Sequence, residues 1–362
     1  VIVAISVVFF FLVLRFAVTL FNFISDPKLR KINRMQQDMV SILIPARNEE
    51  ANIIPLLQSI HKQDYPHYEV IVLDDDSTDN TYALCEAFAA NHPKFSVVKG
   101  KPLEQGWLGK NYACHQLAQQ AHGTYLLFLD ADEQVGNSLI NSAVHRIKSK
   151  NLALFSLFTN QEMCSLGEQT VVPLMHYLLL NLLPLRLIYL AKNPSLAAAS
   201  GQFMLFNTAV YRKHQWHSLS RDRVVEDVEI MKLVKVRKLK GESLLANGLI
   251  TCRMYTGYQQ AISGFSKNFL APFNYSIPGF ICYLMLVIGG PLLIISTLNL
   301  PLILMMCGLI LLSRIMISFA SGQNAFYNTL LHPVQMASLL IVGIFAIQNH
   351  LTRNTVWKGR RV

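Results

Sequence analysis

The chain predicts an α/β fold with a mostly parallel sheet, carried between apolar helices long enough to cross a membrane. Three observations predict it. From Val40 onward, short apolar runs alternate with amphipathic stretches, the pattern of strand–helix units joined by right-handed crossovers. One run, Tyr125-Leu126-Leu127-Phe128-Leu129, is apolar throughout and stops at Asp130-Ala131-Asp132, as a strand covered on both faces does where it leaves the sheet. Both flanks of this region are apolar, and the whole chain is 52% hydrophobic against 15% charged, rich for a soluble protein.

Residues 1–24 are apolar except for Arg15, Asn22 and small hydroxyl residues, enough to span a bilayer, which takes about 20 residues. Lys28, Arg30, Lys31 and Arg34 follow, and the positive-inside rule puts that flank in the cytoplasm. The stretch lacks the basic start and cleavage site of a signal peptide, so it reads as an anchor. Val40–Pro45 then predicts a strand, Glu49–Lys62 a helix capped near Asn48, and Tyr68–Leu73 a second strand. Asp79–Asn91 predicts a helix, Phe95–Val98 a strand, Asn111–Ala121 a helix, and Tyr125–Leu129 the central strand. No G-x-G-x-x-G follows the first strand, so the domain is Rossmann-like with different phosphate chemistry.

Ligands of open α/β sheets bind beyond the carboxyl ends of the strands. Three such ends are chemically unusual: Pro45-Ala46-Arg47-Asn48-Glu49-Glu50, Asp74-Asp75-Asp76-Ser77, and Asp130-Ala131-Asp132. Two carboxylates facing one way repel unless a cation or proton intervenes, and Mg²⁺ or Mn²⁺ holding substrate phosphates is the usual solution. Asp79 and Thr81 fit helix capping, whereas Asp74 is too close to its strand to cap and fits ligand binding. Gly106-Trp107-Leu108-Gly109-Lys110 is either a loop that brings backbone and Lys110 to phosphate or a plain turn. Later, Arg221-Asp222-Arg223-Val224-Val225-Glu226-Asp227 packs acids before a helix. An Asp there either caps that helix or is aimed as a general base, and the strand-end acids favour the base at Asp227, with Glu226 supporting it.

Taken in order, these motifs resemble those of a family 2 inverting glycosyltransferase of GT-A fold, of the membrane-attached kind that glycosylates carotenoid acids or hopanoids. Ser200-Gly201-Gln202-Phe203, Phe265-Ser266-Lys267-Asn268 and Trp357-Lys358-Gly359-Arg360 extend the resemblance to the end of the chain. It implies a domain over 40–270. Pro45, Ala46, Arg47, Asn48, Glu49, Asp74 and Asp75 would hold the nucleotide. Asp130 and Asp132, chiefly Asp132, would hold a metal-bridged diphosphate, and Asp227 would be the base. Lys110 and Lys267 would lie near the phosphates. Two departures stand out. Gln215-Trp216-His217 replaces the family's Gly-Gly-His, which suggests a reshaped acceptor pocket with the Trp216 ring available for stacking. No Q-x-x-R-W is present, which favours a single transfer over polymer synthesis.

Residues 168–192 are apolar but interrupted by Pro173, His176, Asn181, Pro184 and Arg186, so they form either an interfacial segment or one wall of an apolar acceptor groove, or else a buried core helix. The region 278–351 offers three near-spanning stretches, with Arg314 expected to face another helix or to snorkel. Residues 352–362 read as a basic cytoplasmic tail. Two further spans, not three, would keep domain and tail on one side, so one stretch is expected to be interfacial. The net charge of +10 fits anionic lipid; no zinc-finger or aromatic-basic RNA pattern occurs, so nucleic acid is not an expected partner. Scattered cysteines without C-x-x-C argue for reduced thiols. The expected function is transfer of a sugar, from a UDP-sugar most often, to a lipid at the cell-membrane inner face. The alternatives are a polyprenyl-phosphate sugar transferase or a non-catalytic scaffold or transporter.

Overall fold

The computed structural model describes residues 2–352 and the strands Val356–Trp357 and Arg360–Arg361. The predicted basic tail and its Trp357-Lys358-Gly359-Arg360 motif fall largely outside the described residues. The strands are β1 (Val40–Ala46), β2 (Tyr68–Asp74), β3 (Phe95–Lys99), β4 (Tyr125–Leu129) and β5 (Glu133–Val135). They continue with β6 (Leu154–Phe158), β7 (Asn160–Gln161), β8 (Phe203–Asn207), β9 (Gly241–Leu245) and β10 (Ile250–Cys252). Seven form the main sheet in the order β3-β2-β1-β4-β8-β6-β9, and β5-β10-β7 form a small second sheet. The main sheet is parallel except at β8, which runs antiparallel to both β4 and β6.

The sheet is buried on both sides because its strands have no polar face. Leu43, Leu73, Leu126 and Phe128 enter one apolar core, while Ile42, Ile44, Val72, Leu127 and Leu129 enter the other, the two-residue alternation of a pleated strand. The first of these cores runs without a break into the apolar segment and the C-terminal helices, through Leu174, Leu178, Phe280, Ile317 and Leu339. The helix predicted from Glu49 starts later, at Ile53, with Asn52 as its first flanking residue. Asn48 has a φ of 53°, a left-handed conformation that Asn tolerates and that turns the chain away from β1 before a helix can begin.

The interrupted apolar segment forms helices Leu166–Val171, Pro173–Leu182 and Arg186–Leu190. It is largely buried, as a core helix is, and its polar residues are partners of neighbouring helices. Asn22 of the helix Ile2–Ser25 donates to the carbonyls of Leu180 and Leu183, each at 2.9 Å, and accepts the Leu185 N–H at 2.8 Å. Arg186 donates to the carbonyl of Ser25 at 2.9 Å, and His176 bonds Gln323 at 3.1 Å. Among the described residues, four helices are long and apolar enough to cross a membrane: Ile2–Ser25, Ile277–Ser296, Leu300–Ser321 and His332–Thr352. All three of the later ones reach spanning length. Arg314 is 1% exposed and lies over the Tyr177 ring, turned inward rather than snorkelling.

Candidate active site

The order β2-β1-β4 makes β1 and β4 the neighbours between which the sheet changes direction of growth, where α/β sheets keep their ligands. The antiparallel β8 adds a feature that a fully parallel sheet lacks. Leu129 pairs with Phe203, so the residues preceding β8 lie beside the carboxyl end of β4. The Asp130 N–H donates to the Gln202 carbonyl at 3.3 Å, and Gly201 is brought against the acids.

Around Gly201 four side chains meet. Lys110 Nζ lies 2.7 Å from Asp130 Oδ1 and 3.4 Å from Glu226 Oε1. Asp227 Oδ2 accepts the Gly201 N–H at 2.7 Å, and Oδ1 accepts the Val228 N–H at 2.7 Å. Asp227 lies in the first turn of the helix Glu226–Val236, whose N-cap is Val225 without a side-chain cap bond. Its carboxylate takes one N–H of its own first turn through Oδ1 and reaches across to another loop through Oδ2. A Cβ on Gly201 would stand 3.1 Å from Lys110 Nζ and 3.2 Å from Glu226 Oε1, so the cluster closes this tightly only around glycine. The Gly106–Gly109 loop is fixed to the same place by the Leu108 N–H on the Arg221 carbonyl at 2.8 Å and by Asn111 Nδ2 on the Ser220 carbonyl at 2.8 Å.

Electrostatics follow from this crowding. Burial, then the nearby Glu226, push the Asp227 carboxyl up to about 7. Burial opposes the charge on Lys110, but Asp130 and Glu226 outweigh it and hold the ammonium well above the usual lysine range. Burial, then Asp130 and Glu49, raise Asp132 to about 6.

The two aspartates of the D-x-D divide their work: Asp130 faces Lys110, and Asp132 faces the small sheet. There Glu133 pairs with Cys252 in the β5–β10 ladder, and ligand atoms of Asp132, Glu133 and Cys252 lie within 4.8 Å of one another. Glu133 is 1% exposed, and neither carboxylate oxygen has a hydrogen-bond donor. Burial, then Asp132 and Asp130, raise its carboxyl well above the usual range. Two crowded carboxylates, the Glu133 oxygens without a partner, fit a hard divalent cation, with the thiol as a softer third donor.

The other two strand ends are sewn to each other. Arg47 Nη1 donates to the carbonyl of Asp76 at 2.9 Å, the Asn48 N–H to Ser77 Oγ at 3.0 Å, and the Glu49 N–H to Thr81 Oγ1 at 2.8 Å. Thr78 N–H donates to Asn48 Oδ1 at 2.8 Å, and Asp79 accepts from the Thr81 N–H at 3.0 Å, the local capping its sequence suggested. Pro45 and Ala46 register with Leu73 and Asp74. Asp74 is 6% exposed; Oδ2 accepts the Ser77 N–H at 3.3 Å, while Oδ1 has no donor. Asp75 is likewise buried. These loops form a rigid wall beside the acids.

One expectation needs correction. Trp216 is fully buried and stacks on His214 with ring centroids 4.6 Å apart, so its ring is core and is not offered to an acceptor. His217 is also buried and bonds the Tyr211 hydroxyl at 2.6 Å. Lys267, at the end of the helix Tyr258–Ser266, has no ion-pair or hydrogen-bond contact with this cluster among the described residues, and burial lowers its ammonium. Sequence reading missed Gly201 as a site residue and missed Glu133 and Cys252 entirely. Glu133 adjoins the D-x-D and was within reach of inspection; Cys252 reaches it only through a strand pairing.

Residues 41–215 match the model of Glycosyl transferase family 2. That region, just under half of the chain, is similar to family 2 glycosyltransferases. Over 240 residues it is 28% identical to the 4,4'-diaponeurosporenoate glycosyltransferase of Staphylococcus haemolyticus, covering 63% of this chain and 60% of that protein. Over 103 residues it is 35% identical to the Beta-monoglucosyldiacylglycerol synthase of a Nostoc species, covering 28% and 22% of the two chains. The chain thus spans less than two thirds of the length of either relative. Among solved structures it resembles a mannosyltransferase of Pyrobaculum calidifontis in complex with GDP-Man and Mn2+, with a TM-score of 0.56 and 17% identity over 96% of this chain and 99% of that one. That likeness shows the GT-A fold of the domain, whose family 2 match ends at 215, before Glu226 and Asp227.

Proposed function

We propose that this protein is an inverting glycosyltransferase that moves a sugar, from a UDP-sugar, to a hydroxyl or carboxyl oxygen of a lipid. The observation that carries it is the Asp227 carboxylate, held by two backbone N–H groups across from the Lys110–Asp130 pair. A base needs a proton affinity near the working pH and a fixed aim, and Asp227 has both. In the reaction its free lone pairs take the proton from the acceptor oxygen. That oxygen forms the new bond to the anomeric carbon as the bond to the nucleoside diphosphate breaks on the far side, which inverts the centre. Glu226 positions Lys110, and Lys110 supplies positive charge beside the strand-end acids.

Asp132 and Glu133, with Asp130 beside them, would hold Mg²⁺ or Mn²⁺, which when bound offsets the negative charge of the diphosphate. Arg47, Asn48, Glu49, Asp74 and Asp75, on the wall formed by Pro45 and Ala46, would receive the nucleotide; the orphaned Asp74 Oδ1 suits a ribose hydroxyl or base N–H. Four apolar helices and the names of the relatives support a lipid acceptor. The basic collar at Lys28–Arg34 supports a catalytic domain on the cytoplasmic side of the cell membrane. The test is Asp227→Asn in the full chain: donor binding should persist while release of nucleoside diphosphate in the presence of lipid extract stops. Unchanged turnover removes Asp227 from the mechanism.

A further inference from the structure

Two arginines lie inside the apolar helices Ile2–Ser25 and Leu300–Ser321, and both are buried: Arg15 is 7% exposed and Arg314 1%. They meet around one ring. The guanidinium carbons stand 5.0 Å and 4.6 Å from the centroid of Tyr177, and Arg15 also lies 5.8 Å from the ring of Tyr283. A guanidinium does not give up its proton, so two like charges are gathered here and neither can neutralise itself.

No protein anion balances them. Neither arginine belongs to any ion pair among the described residues. The sequence gives the reason: residues 1–25, 169–191 and 243–362 contain no Asp or Glu at all. The polar partners are few and long: Arg15 Nε donates to Asn181 Oδ1 at 3.3 Å and Arg314 Nε to the Asn328 carbonyl at 3.3 Å. Around them stand buried groups with no partner, namely Arg314 Nη2, Asn181 Nδ2, the Tyr283 hydroxyl and the Thr19 hydroxyl. Each of these can donate a hydrogen bond. Ring faces offset part of the charge, but buried charge without a counter-ion and donors without acceptors are both strongly unfavourable.

The missing piece is an oxyanion. We propose that Arg15 and Arg314, with Asn181, Tyr283 and Thr19, bind the phosphate of one anionic membrane lipid, which joins the first helix, the helix Pro173–Leu182 and the C-terminal helices. A lipid is the source because the elements that enclose the pair are the apolar helices themselves. The site lies apart from the Asp227 cluster, and it stands whether or not Asp227 is the base.

The test uses the full chain in detergent, stripped of lipid, with phosphatidylglycerol, phosphatidylcholine and inorganic phosphate as probes. Native mass spectrometry should find one phosphatidylglycerol retained per chain. Arg314→Gln and Arg15→Gln should each weaken that retention about tenfold, the loss of one charge-assisted contact. Phosphatidylglycerol should also raise the melting temperature of the wild type, more than phosphatidylcholine does, and leave that of Arg314→Gln unmoved. Should either variant fail to fold, the wild-type lipid titration still decides. A wild type that retains no phosphatidylglycerol and gains no stability from it overturns the proposal, as does an Arg314→Gln variant that keeps both. An equal shift with inorganic phosphate overturns the lipid assignment in favour of a soluble anion.

Discussion

Replacing Gly201 by Ala separates geometry at the site from stability of the fold. The backbone at Gly201 is outside the left-handed region, so Ala fits the chain path, and the loss of unfolded-state freedom should favour the native state by about 0.4–1 kcal/mol. The steric effect is opposite and local. The new methyl would stand 3.1 Å from Lys110 Nζ, 3.2 Å from Glu226 Oε1 and 3.6 Å from Asp227 Oδ2. Two of these contacts fall roughly 0.3 Å inside ordinary van der Waals distance, so Lys110 and Glu226 must give way. A 1 Å misplacement costs on the order of 100-fold in rate, and a third of that displacement about 5–10-fold, close to 1 kcal/mol of barrier. The expected result is a kcat about 5–10-fold lower, with donor KM moved far less and the melting temperature unchanged or slightly higher. The assay is nucleoside diphosphate release from a UDP-sugar with lipid extract, alongside a thermal melt of the same preparation. A variant with wild-type kcat would show that the tight closure around this glycine is irrelevant to turnover.

Other consequences follow from the same geometry. With Asp227 raised to about 7, the proposed base is protonated below that value, so kcat/KM should fall about tenfold per pH unit on the acid side; a flat profile through pH 6 excludes it. The same shift contributes stability that is full below the ordinary carboxylate range and lost as pH rises through about 7, and Asp227→Asn should remove that slope in melting temperature. Glu133→Gln should weaken Mn²⁺ binding measured by calorimetry on the stripped protein; unchanged affinity takes Glu133 out of the cation site. Arg146 makes two 2.6 Å bonds to Glu242, itself 2% exposed, so Arg146→Met leaves a buried carboxylate unpaired and should cost about 3 kcal/mol, read as a lower melting temperature.

What was legible in the sequence were features written in consecutive residues. The apolar run ending at Asp130 gave β4 with its observed limits, because a strand buried on both sides has no polar position to blur its ends. The strand-end loops were legible for the same reason. The start at Ile53 was not, since Asn48 looks like a helix cap until its left-handed backbone is seen. Cys252 and Glu133 become neighbours through a strand pairing between residues far apart in the chain, which no local pattern records. Trp216 misled because it stands where the family has a glycine, which pointed to the acceptor pocket, whereas its burial is set by the distant strands and helices that enclose it.

The Asn22 clamp changes what the first helix is. Both of its amide hydrogens and its carbonyl oxygen are engaged, by Leu180, Leu183 and Leu185, so that helix is bolted to the rest of the protein and does not trail as a tether. A tethered enzyme samples many heights over its membrane; a bolted one is a gauge with a single setting. Selection among lipids would then begin with reach: a headgroup too short to rise to that level is refused before any chemistry distinguishes it.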